Sequence, residues 1–209
     1  MDRKQLLLYA VTDACALKGI SLKEAVAQAL EGGATIVQVR EKELDREEFR
    51  REAEEILQLC RKYGVPLIID DDAELAAETG ADGVHIGQDD MGATEARRIL
   101  GGDKIIGVTA KTVEQAEKAL ADGADYLGSG AMFATSTKPL AKSITFDQLK
   151  EITGSVSIPV VAIGGITGEN IMQLKGLGIA GAAVSAGIFG SADIKKSTAK
   201  LRSLVEKIV

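Results

Sequence analysis

Short apolar runs recur along the chain, and stretches with helical spacing separate them. The runs are rich in β-branched residues and end near glycine, proline or aspartate: LLLYAVTD, ATIVQVRE, PLIIDD, GVHIGQ, KIIGVTA, YLGSGA, PVVAIGG and AAVSAGIF. Runs of this length and composition predict strands. Most are apolar throughout rather than alternating, which is typical of a parallel sheet that is covered on both faces.

The intervening stretches predict amphipathic helices. In SLKEAVAQALEGG, the residues Leu22, Val26 and Ala29 recur at helical spacing before glycines that are typical of a helix end. The same plan recurs in DREEFRREAEEILQLCRKYG, TVEQAEKALADG, TFDQLKEITG and TGENIMQLKGLG, and a last helix leads to the C-terminus. Threonine opens three of these stretches with Glu or Gln close behind, a pattern that predicts helix N-caps.

Strand and helix alternate roughly eight times without an inserted linker. This order predicts one (β/α)8 TIM barrel, an α/β fold, as a single catalytic domain over residues 1–209. A length of 209 residues suits one domain with a substantial core. A doubly wound open sheet is the alternative, although that fold usually has fewer strands.

Composition narrows the classes of partner. The 25 basic and 31 acidic residues give a net charge of −6, which argues against nucleic acid or an anionic membrane as the main partner. No apolar run has the length of a membrane-spanning helix. The two cysteines, Cys15 and Cys60, have no metal-ligand spacing, so we expect free thiols in a reducing cytoplasm.

Polar residues gather where the predicted strands end. They are Arg40, Glu41 and Lys42 after the second strand, Asp70 to Asp72 after the third, Gln88 to Asp90 after the fourth, Thr109 and Lys111 after the fifth, Thr135 to Lys138 after the sixth, Gly164 and Gly165 after the seventh, and Ser185 after the eighth. In TIM barrels the chemistry lies at these C-terminal strand ends. We therefore expect the residues to converge on one mouth.

The aspartates in this set predict a metal site. Carboxylates brought together repel each other unless a cation lies between them. One or two carboxylates, completed by water and phosphate oxygens, are the ligands that Mg²⁺ prefers. Strands three and four are expected neighbours, so Asp71 and Asp90 are the predicted ligands. Helix capping is the alternative, and it is strongest for Asp72 and Asp89.

Two anion sites are predicted in the same mouth. Arg40, Lys42 and Lys138 suit diphosphate oxygens, although a single charged loop residue is usually a solvated surface group. AIGGIT and AAVSAG follow strands seven and eight, where barrels often bind a phosphate monoester through backbone N–H groups. Plain tight turns are the alternative there. His85, inside the fourth strand, is expected to line the barrel interior in a structural role.

The order of these motifs resembles the thiamine phosphate synthase family over nearly the whole chain. The matching pieces are YAVTD, QVREK, the aspartates after strand three, HIGQDD, GVTAKT, TSTK, IGGIT and VSAGIF. The resemblance implies a transferase that joins 4-amino-2-methyl-5-(diphosphooxymethyl)pyrimidine to thiazole phosphate or carboxythiazole phosphate. In that family Mg²⁺ assists, pyrophosphate leaves first, and the thiazole nitrogen then attacks the carbocation.

The resemblance also assigns the site residues. It makes Asp71 and Asp90 the Mg²⁺ ligands and Lys138, Arg40 and Thr109 the catalytic residues. The substrate-binding set is Gln38, Arg40, Glu41, Lys42, Asp70, Thr109, Thr135, Ser136, Thr137, Lys138, Gly165, Val184 and Ser185. Where the family usually has asparagine, serine and histidine, this chain has Asp70, Thr109 and Lys111. Small-molecule substrates and a cytoplasmic location are implied, and a homodimer is compatible with the family.

Other functions fit parts of the pattern. A paralogue in the same fold, such as a thiazole tautomerase or a regulator-like relative, would lack the diphosphate-binding set. A Schiff-base aldolase would use Lys111 or Lys138 as its nucleophile, but it would leave the acidic cluster without a role. A non-catalytic phosphate-binding protein would bind the same ligands without turnover.

Overall fold

Eight parallel strands close into a barrel in chain order. The computed structural model describes residues 1–17, 19–135 and 143–209. The strands are β1 (Leu8–Val11), β2 (Ile36–Val39), β3 (Leu67–Asp70), β4 (Gly83–Ile86), β5 (Ile105–Thr109), β6 (Tyr126–Ser129), β7 (Val160–Ile163) and β8 (Gly181–Val184). Strand β8 pairs with β1, with Ala182 opposite Leu8. This closure confirms the predicted TIM barrel and excludes the open doubly wound sheet.

Helices surround the barrel. They are α1 (Leu22–Glu31), α2 (Arg46–Tyr63), α3 (Ala73–Thr79), α4 (Ala93–Leu100), α5 (Val113–Ala121), α6 (Phe146–Ser155), α7 (Ala186–Phe189) and α8 (Ile194–Val205). Within the described residues, no helix combines the length and the apolar character needed to cross a membrane.

The predicted apolar face and end of α1 and the predicted N-caps of α5 and α6 are confirmed. Leu22, Val26 and Ala29 are buried against the barrel, and Gly32 ends α1. Thr112 and Thr145 are the N-caps of α5 and α6, where each hydroxyl accepts a backbone N–H and so satisfies a group that the helix leaves unpaired.

The helix predicted in TGENIMQLKGLG is wrong. The chain forms only a 3-10 turn, Ile171–Leu174, between β7 and β8. Asn170 accepts the Thr167 N–H at 2.8 Å and donates to the Gly165 carbonyl at 2.8 Å, so local side-chain bonds compete with a helix here. Gly176 and Gly178 then take left-handed φ angles of 81° and 77°. These bonds and glycines end the turn after one revolution.

The barrel interior is small and is filled from alternate strand positions. Leu6, Tyr9, Val11, Ile36, Ile68, Tyr126, Val161 and Ala183 form this inner cluster, while the intervening side chains pack under the helices. Two glycines make room for the large rings. A Cβ at Gly107 would lie 2.1 Å from Tyr126 Cζ, and a Cβ at Gly128 would lie 3.0 Å from His85 Cε1. The inner layer therefore places polar aromatic groups directly below the mouth.

Candidate active site

A cavity of about 360 Å³ opens at the C-terminal ends of the strands. Its size and position are typical of a small-molecule site in this fold. Of the residues predicted from the sequence, Gln38, Arg40, Asp70, Thr109, Thr135, Gly165 and Ser185 line it. Lys111 and His85 line it as well. The strand ends thus bring together residues that are far apart in the sequence.

Asp70 lies between two cations at the end of β3. Its Oδ2 is 3.0 Å from Lys42 Nζ and 3.5 Å from Arg40 Nε, and its side chain is only 10% exposed. Burial and the neighbouring Asp71 raise the pKa of Asp70 to about 6, in spite of both cations. Asp70 therefore holds Arg40 and Lys42 together at the edge of the cavity.

Asp71 has a backbone conformation that is rare for a residue with a side chain. Its φ is 61°, in the left-handed region, and its N–H donates to the His85 carbonyl at 2.8 Å. Its Oδ2 accepts from Lys42 Nζ at 2.5 Å. The Asp71 carboxylate that follows this turn lies next to that of Asp90.

The Asp71 and Asp90 carboxyl groups are hydrogen-bonded to each other. Burial acts to raise the pKa of Asp71, but its bonds with Lys42 and Asp90 lower it overall, whereas burial and Asp71 raise the pKa of Asp90. Asp90 Oδ2 also accepts the Gly87 N–H at 2.8 Å, and a Cβ at Gly87 would lie 2.6 Å from that oxygen. Gly87 thus holds the Asp90 carboxylate through its N–H and, because it has no side chain, leaves room for that carboxylate.

The donor set of this pair fits the predicted magnesium ion. The two carboxyl groups lie side by side, with the Lys42 ammonium on Asp71, and a divalent cation would neutralise their charge. Across the described ranges there is no group of three or more His, Cys, Asp or Glu residues that could hold a metal. A site with only two protein ligands is characteristic of Mg²⁺ bound together with phosphate oxygens and water.

The other two aspartates differ from each other. Asp72 is the N-cap of α3, accepts the Leu75 N–H at 2.8 Å, and lies 2.7 Å from Arg46, as the capping alternative predicts. Asp89 is exposed and does not cap α4, whose N-cap is Gly92. Asp72 is therefore structural, while Asp89 is a surface residue beside the proposed ligand.

A line of hydrogen bonds crosses the barrel interior beneath the cavity. Gln38 Nε2 donates to Tyr9 Oη at 2.9 Å, and Tyr9 Oη lies 2.8 Å from Tyr126 Oη. Tyr126 Oη lies 3.0 Å from His85 Nδ1, and His85 Nε2 lies 3.0 Å from Thr109 Oγ1. We call these five residues the interior network. Burial raises the pKa of both tyrosines, so their hydroxyls stay protonated.

Sequence reasoning missed the two tyrosines of the interior network. It placed His85 inside the barrel, where the structure finds it 8% exposed, but it gave Tyr9 and Tyr126 no role. The available signal is the register of the strands: Tyr9 and Tyr126 occupy inward positions, and glycine stands at the inward positions nearby, Gly107 and Gly128.

The opposite side of the cavity is built from backbone. Gly164 and Gly165 have φ angles of 98° and 64°, and a Cβ at Gly165 would lie 2.3 Å from the Ala134 carbonyl oxygen. The loop after β7 therefore packs directly on the loop after β6, which only glycine allows. Ser185 follows β8, and its Oγ is buried without a hydrogen-bond partner in the described structure.

Five of the predicted site residues in the described structure stand outside the cavity lining: Glu41, Lys42, Asp71, Asp90 and Val184. Glu41 follows Arg40 in the chain, and its Oε1 is buried without a partner in the described part of the protein. Burial, and then the charge of Glu52, raise the pKa of Glu41 to about 7. Val184 packs in the core under the helices, so only its backbone can reach a ligand. Ser136, Thr137 and Lys138 lie outside the described residues, and their roles stay predictions.

Known proteins resemble this chain in sequence and in structure. The family model described as thiamine monophosphate synthase matches residues 8–188. A thiamine-phosphate synthase of Ruminiclostridium cellulolyticum is 50% identical over 194 residues, 93% of this chain and 92% of that protein. One of Clostridium tetani is 48% identical over 93% of each chain. The solved thiamine phosphate pyrophosphorylase of Pyrococcus furiosus has a TM-score of 0.90 and 38% identity, and it covers 99% of this chain and 98% of its own.

Proposed function

The chain belongs to the thiamine monophosphate synthase family, and we propose that its mouth joins a pyrimidine diphosphate to thiazole phosphate, forming thiamine phosphate and pyrophosphate. The protein is a transferase of thiamine biosynthesis. One observation carries the detailed proposal. Arg40 and Asp70 line one edge of a cavity whose opposite edge is glycine backbone, and Lys42 and the Asp71–Asp90 pair lie next to them just outside the lining.

We name these two edges. The charged rim consists of Arg40, Lys42, Asp70, Asp71 and Asp90. The glycine rim consists of Gly164, Gly165, Ser185 and Gly187. In the proposal the diphosphate binds at the charged rim, the phosphate monoester binds at the glycine rim, and the two rings meet in the cavity between them.

Charge neutralisation is the main task of the charged rim. Arg40 and Lys42 would turn from Asp70 to the diphosphate oxygens, because guanidinium and ammonium groups suit phosphate oxygens. Asp71 and Asp90 would hold Mg²⁺. When bound there, the ion supplies positive charge to the leaving pyrophosphate. Lys138, outside the described residues, is the further predicted cation.

The reaction needs no nucleophile from the protein. The bond between the pyrimidine methylene carbon and the diphosphate oxygen breaks, and its electron pair leaves with pyrophosphate. The aminopyrimidine ring donates electron density to the carbocation. The thiazole nitrogen then supplies the electron pair of the new carbon–nitrogen bond. The protein contributes by holding the two substrates in line and by stabilising the charge that leaves.

Thr109 and Gln38 would orient the pyrimidine diphosphate. Thr109 ends β5 and lines the cavity, so its hydroxyl is placed to donate to a diphosphate oxygen. Gln38 is 4% exposed at the floor of the same cavity, where it would contact the pyrimidine ring. We place the reaction in the cytoplasm, and the two free thiols, Cys15 and Cys60, fit that reducing compartment.

A coupled product assay tests the proposal. Purified protein is mixed with pyrimidine diphosphate, thiazole phosphate and Mg²⁺, the mixture is oxidised, and thiochrome fluorescence reports thiamine phosphate. We expect product that grows with time, disappears with EDTA, and requires both substrates. Folded protein that binds both substrates and forms no product would contradict the proposal and would favour a non-synthase paralogue.

A further inference from the structure

The interior network joins two groups that line the same cavity. Gln38 and Thr109 lie at its ends, and each link between neighbouring residues is 2.8 to 3.0 Å long. The central residues Tyr9, Tyr126 and His85 are 1%, 0% and 8% exposed. Water is largely excluded there, so a hydrogen bond lost in the middle is not replaced by solvent.

Two orders of donors and acceptors let every hydroxyl of the network donate its proton along the line. A tyrosine hydroxyl has one proton to donate, and a neutral imidazole donates from one nitrogen and accepts at the other. In the first order, protons point from Gln38 through Tyr9, Tyr126 and His85 toward Thr109. In the second order every donor and acceptor is exchanged. A change at one end therefore reverses the groups along the whole line.

The two orders present different atoms to the cavity. In the first order the Thr109 hydroxyl accepts from His85 and keeps its proton for a ligand, while Gln38 gives its N–H to Tyr9 and offers Oε1. In the second order the Thr109 hydroxyl donates its proton to His85, and Gln38 accepts from Tyr9 and turns its N–H toward the cavity. An ionised diphosphate has acceptor oxygens only, so its binding at Thr109 selects the first order.

We propose that Tyr9, Tyr126 and His85 are positioning residues that couple the recognition of the two ends of the pyrimidine diphosphate. Diphosphate at Thr109 sets the order of the interior network, and Gln38 is thereby held with its acceptor toward the ring. The site then selects a ring that carries an amino donor. This inference rests on the proposed function, which places the diphosphate at Thr109 and the pyrimidine at Gln38.

The packing around the network supports a fixed arrangement of its hydroxyls. The Tyr9 and Tyr126 rings meet edge to face, with centroids 5.9 Å apart and an interplanar angle of 65°. A Cβ at Gly107 would lie 2.3 Å from Tyr126 Oη. Strand β5 thus leaves room for this ring and hydroxyl, and Tyr126 is fully buried beside Tyr9 and His85.

Two variants test the coupling. Tyr126→Phe and Tyr9→Phe keep the rings and each remove one hydroxyl from the middle of the network. Calorimetry with Mg²⁺ at about pH 8, where an ordinary imidazole is neutral, measures binding of the 4-amino pyrimidine diphosphate and of its 4-oxo analogue. The analogue presents an acceptor where the substrate has a donor. Binding is the readout because the amino group also assists the chemical step.

We expect the wild-type protein to prefer the amino compound by at least about tenfold, the usual effect of one mismatched hydrogen bond. In both variants the preference should fall to about threefold or less, since Gln38 is then free to rotate and to donate to the oxo group. Ile36→Val is the matched control. It trims the inner cluster that also contains Tyr9 and Tyr126 but removes no polar group of the network, and it should keep the wild-type preference.

The outcomes separate the inference from the proposed function. Variants that fold normally by thermal unfolding but keep the wild-type preference would overturn the coupling, and so would an equal loss of affinity for both compounds, which indicates packing alone. If the wild-type protein binds neither diphosphate, the proposed function fails and the inference fails with it.

Discussion

The charged rim and the glycine rim lie on opposite sides of one cavity, and in the proposed function each would bind an anion with different groups. The charged rim presents the side chains of Arg40 and Lys42 beside three carboxylates, while the glycine rim presents the backbone at Gly164 and Gly165. Long cationic side chains and the proposed Mg²⁺ suit a diphosphate, because its negative charge grows as it leaves. Fixed backbone dipoles suit a phosphate monoester that stays unchanged through the reaction.

The two rims also share an unusual backbone conformation. Asp71 and Gly165 have φ angles of 61° and 64°. Glycine adopts this region with little strain, whereas for a residue with a side chain the conformational free energy is on the order of 1 kcal/mol or more higher. At Asp71 the bonds to His85 and Lys42 hold the conformation. The left-handed conformation therefore causes little strain at Gly165, whereas at Asp71 it strains the backbone next to the carboxylate.

Removal of either predicted metal ligand should have the largest effect. Asp71→Ala and Asp90→Ala each leave one carboxylate, so we expect Mg²⁺-dependent turnover to fall by more than about a hundredfold with the fold intact. The thiochrome assay and circular dichroism measure the two properties. Asp89→Ala changes the same charge at an exposed neighbour and should stay active. Unchanged turnover in both ligand variants would remove the metal assignment.

A methyl group on the glycine rim should affect one substrate only. Gly165→Ala places Cβ against the Ala134 carbonyl and strains a positive φ, so the loop must shift. We expect KM for thiazole phosphate to rise by about tenfold while KM for the pyrimidine diphosphate changes little. Gly102→Ala, at a glycine with open space and no positive φ, is the control. A rise in both KM values would argue against separate rims.

Neutralising Asp70 should strengthen the charged rim. Asp70→Asn removes a negative charge that competes with the diphosphate for Arg40 and Lys42. We expect pyrophosphate affinity to stay the same or to improve by about fivefold, the effect of roughly 1 kcal/mol of electrostatic free energy. Calorimetry on the wild type and the variant measures the change. A large loss of affinity would show that the Asp70 charge has a specific task.

Ionisation of Glu41 should lower the free energy of unfolding of the protein as the pH rises. Its folded pKa of about 7 exceeds the ordinary 4.5, so the fold favours the protonated form and the free energy of unfolding falls between these pH values. Glu41→Gln mimics that form. It should add about 1 kcal/mol at pH 8, after discounting for partial exposure, and little at pH 5. Urea unfolding at both pH values measures this, with Glu43→Gln, an exposed loop residue, as control.

Ser185 should matter least. Its hydroxyl is buried without a partner in the described structure, so the fold does not depend on it. If the glycine rim binds phosphate through backbone N–H groups, Ser185→Ala should change KM for thiazole phosphate by less than about twofold. A tenfold increase in that KM would instead assign the contact to the hydroxyl.

Much of the fold follows from local pattern. The continuous apolar runs predict all eight strands because both faces of the sheet are covered, and the threonine caps predict the starts of α5 and α6. The segment after β7 escapes this reasoning. Its apolar spacing is helical, but bonds from the Asn170 side chain and two left-handed glycines decide its conformation.

The gathering of polar residues at one mouth was predictable in outline because a parallel barrel brings every C-terminal strand end together. The interior network was not, because a tyrosine in an apolar strand is usually a core residue. Its hydroxyl partners come from strands far apart in the sequence: Tyr9 and Tyr126 meet across the barrel. Only the closed structure reveals that these hydroxyls join Gln38 to Thr109.

The division of the mouth into two rims is tested most directly by the Mg²⁺ dependence of ligand binding. Calorimetry would compare pyrophosphate and thiazole phosphate, each with Mg²⁺ and with EDTA, on the wild-type protein. We predict that Mg²⁺ tightens pyrophosphate binding by at least about tenfold and changes thiazole phosphate binding by less than about twofold. Equal Mg²⁺ dependence for both ligands, or none for pyrophosphate, would contradict the account.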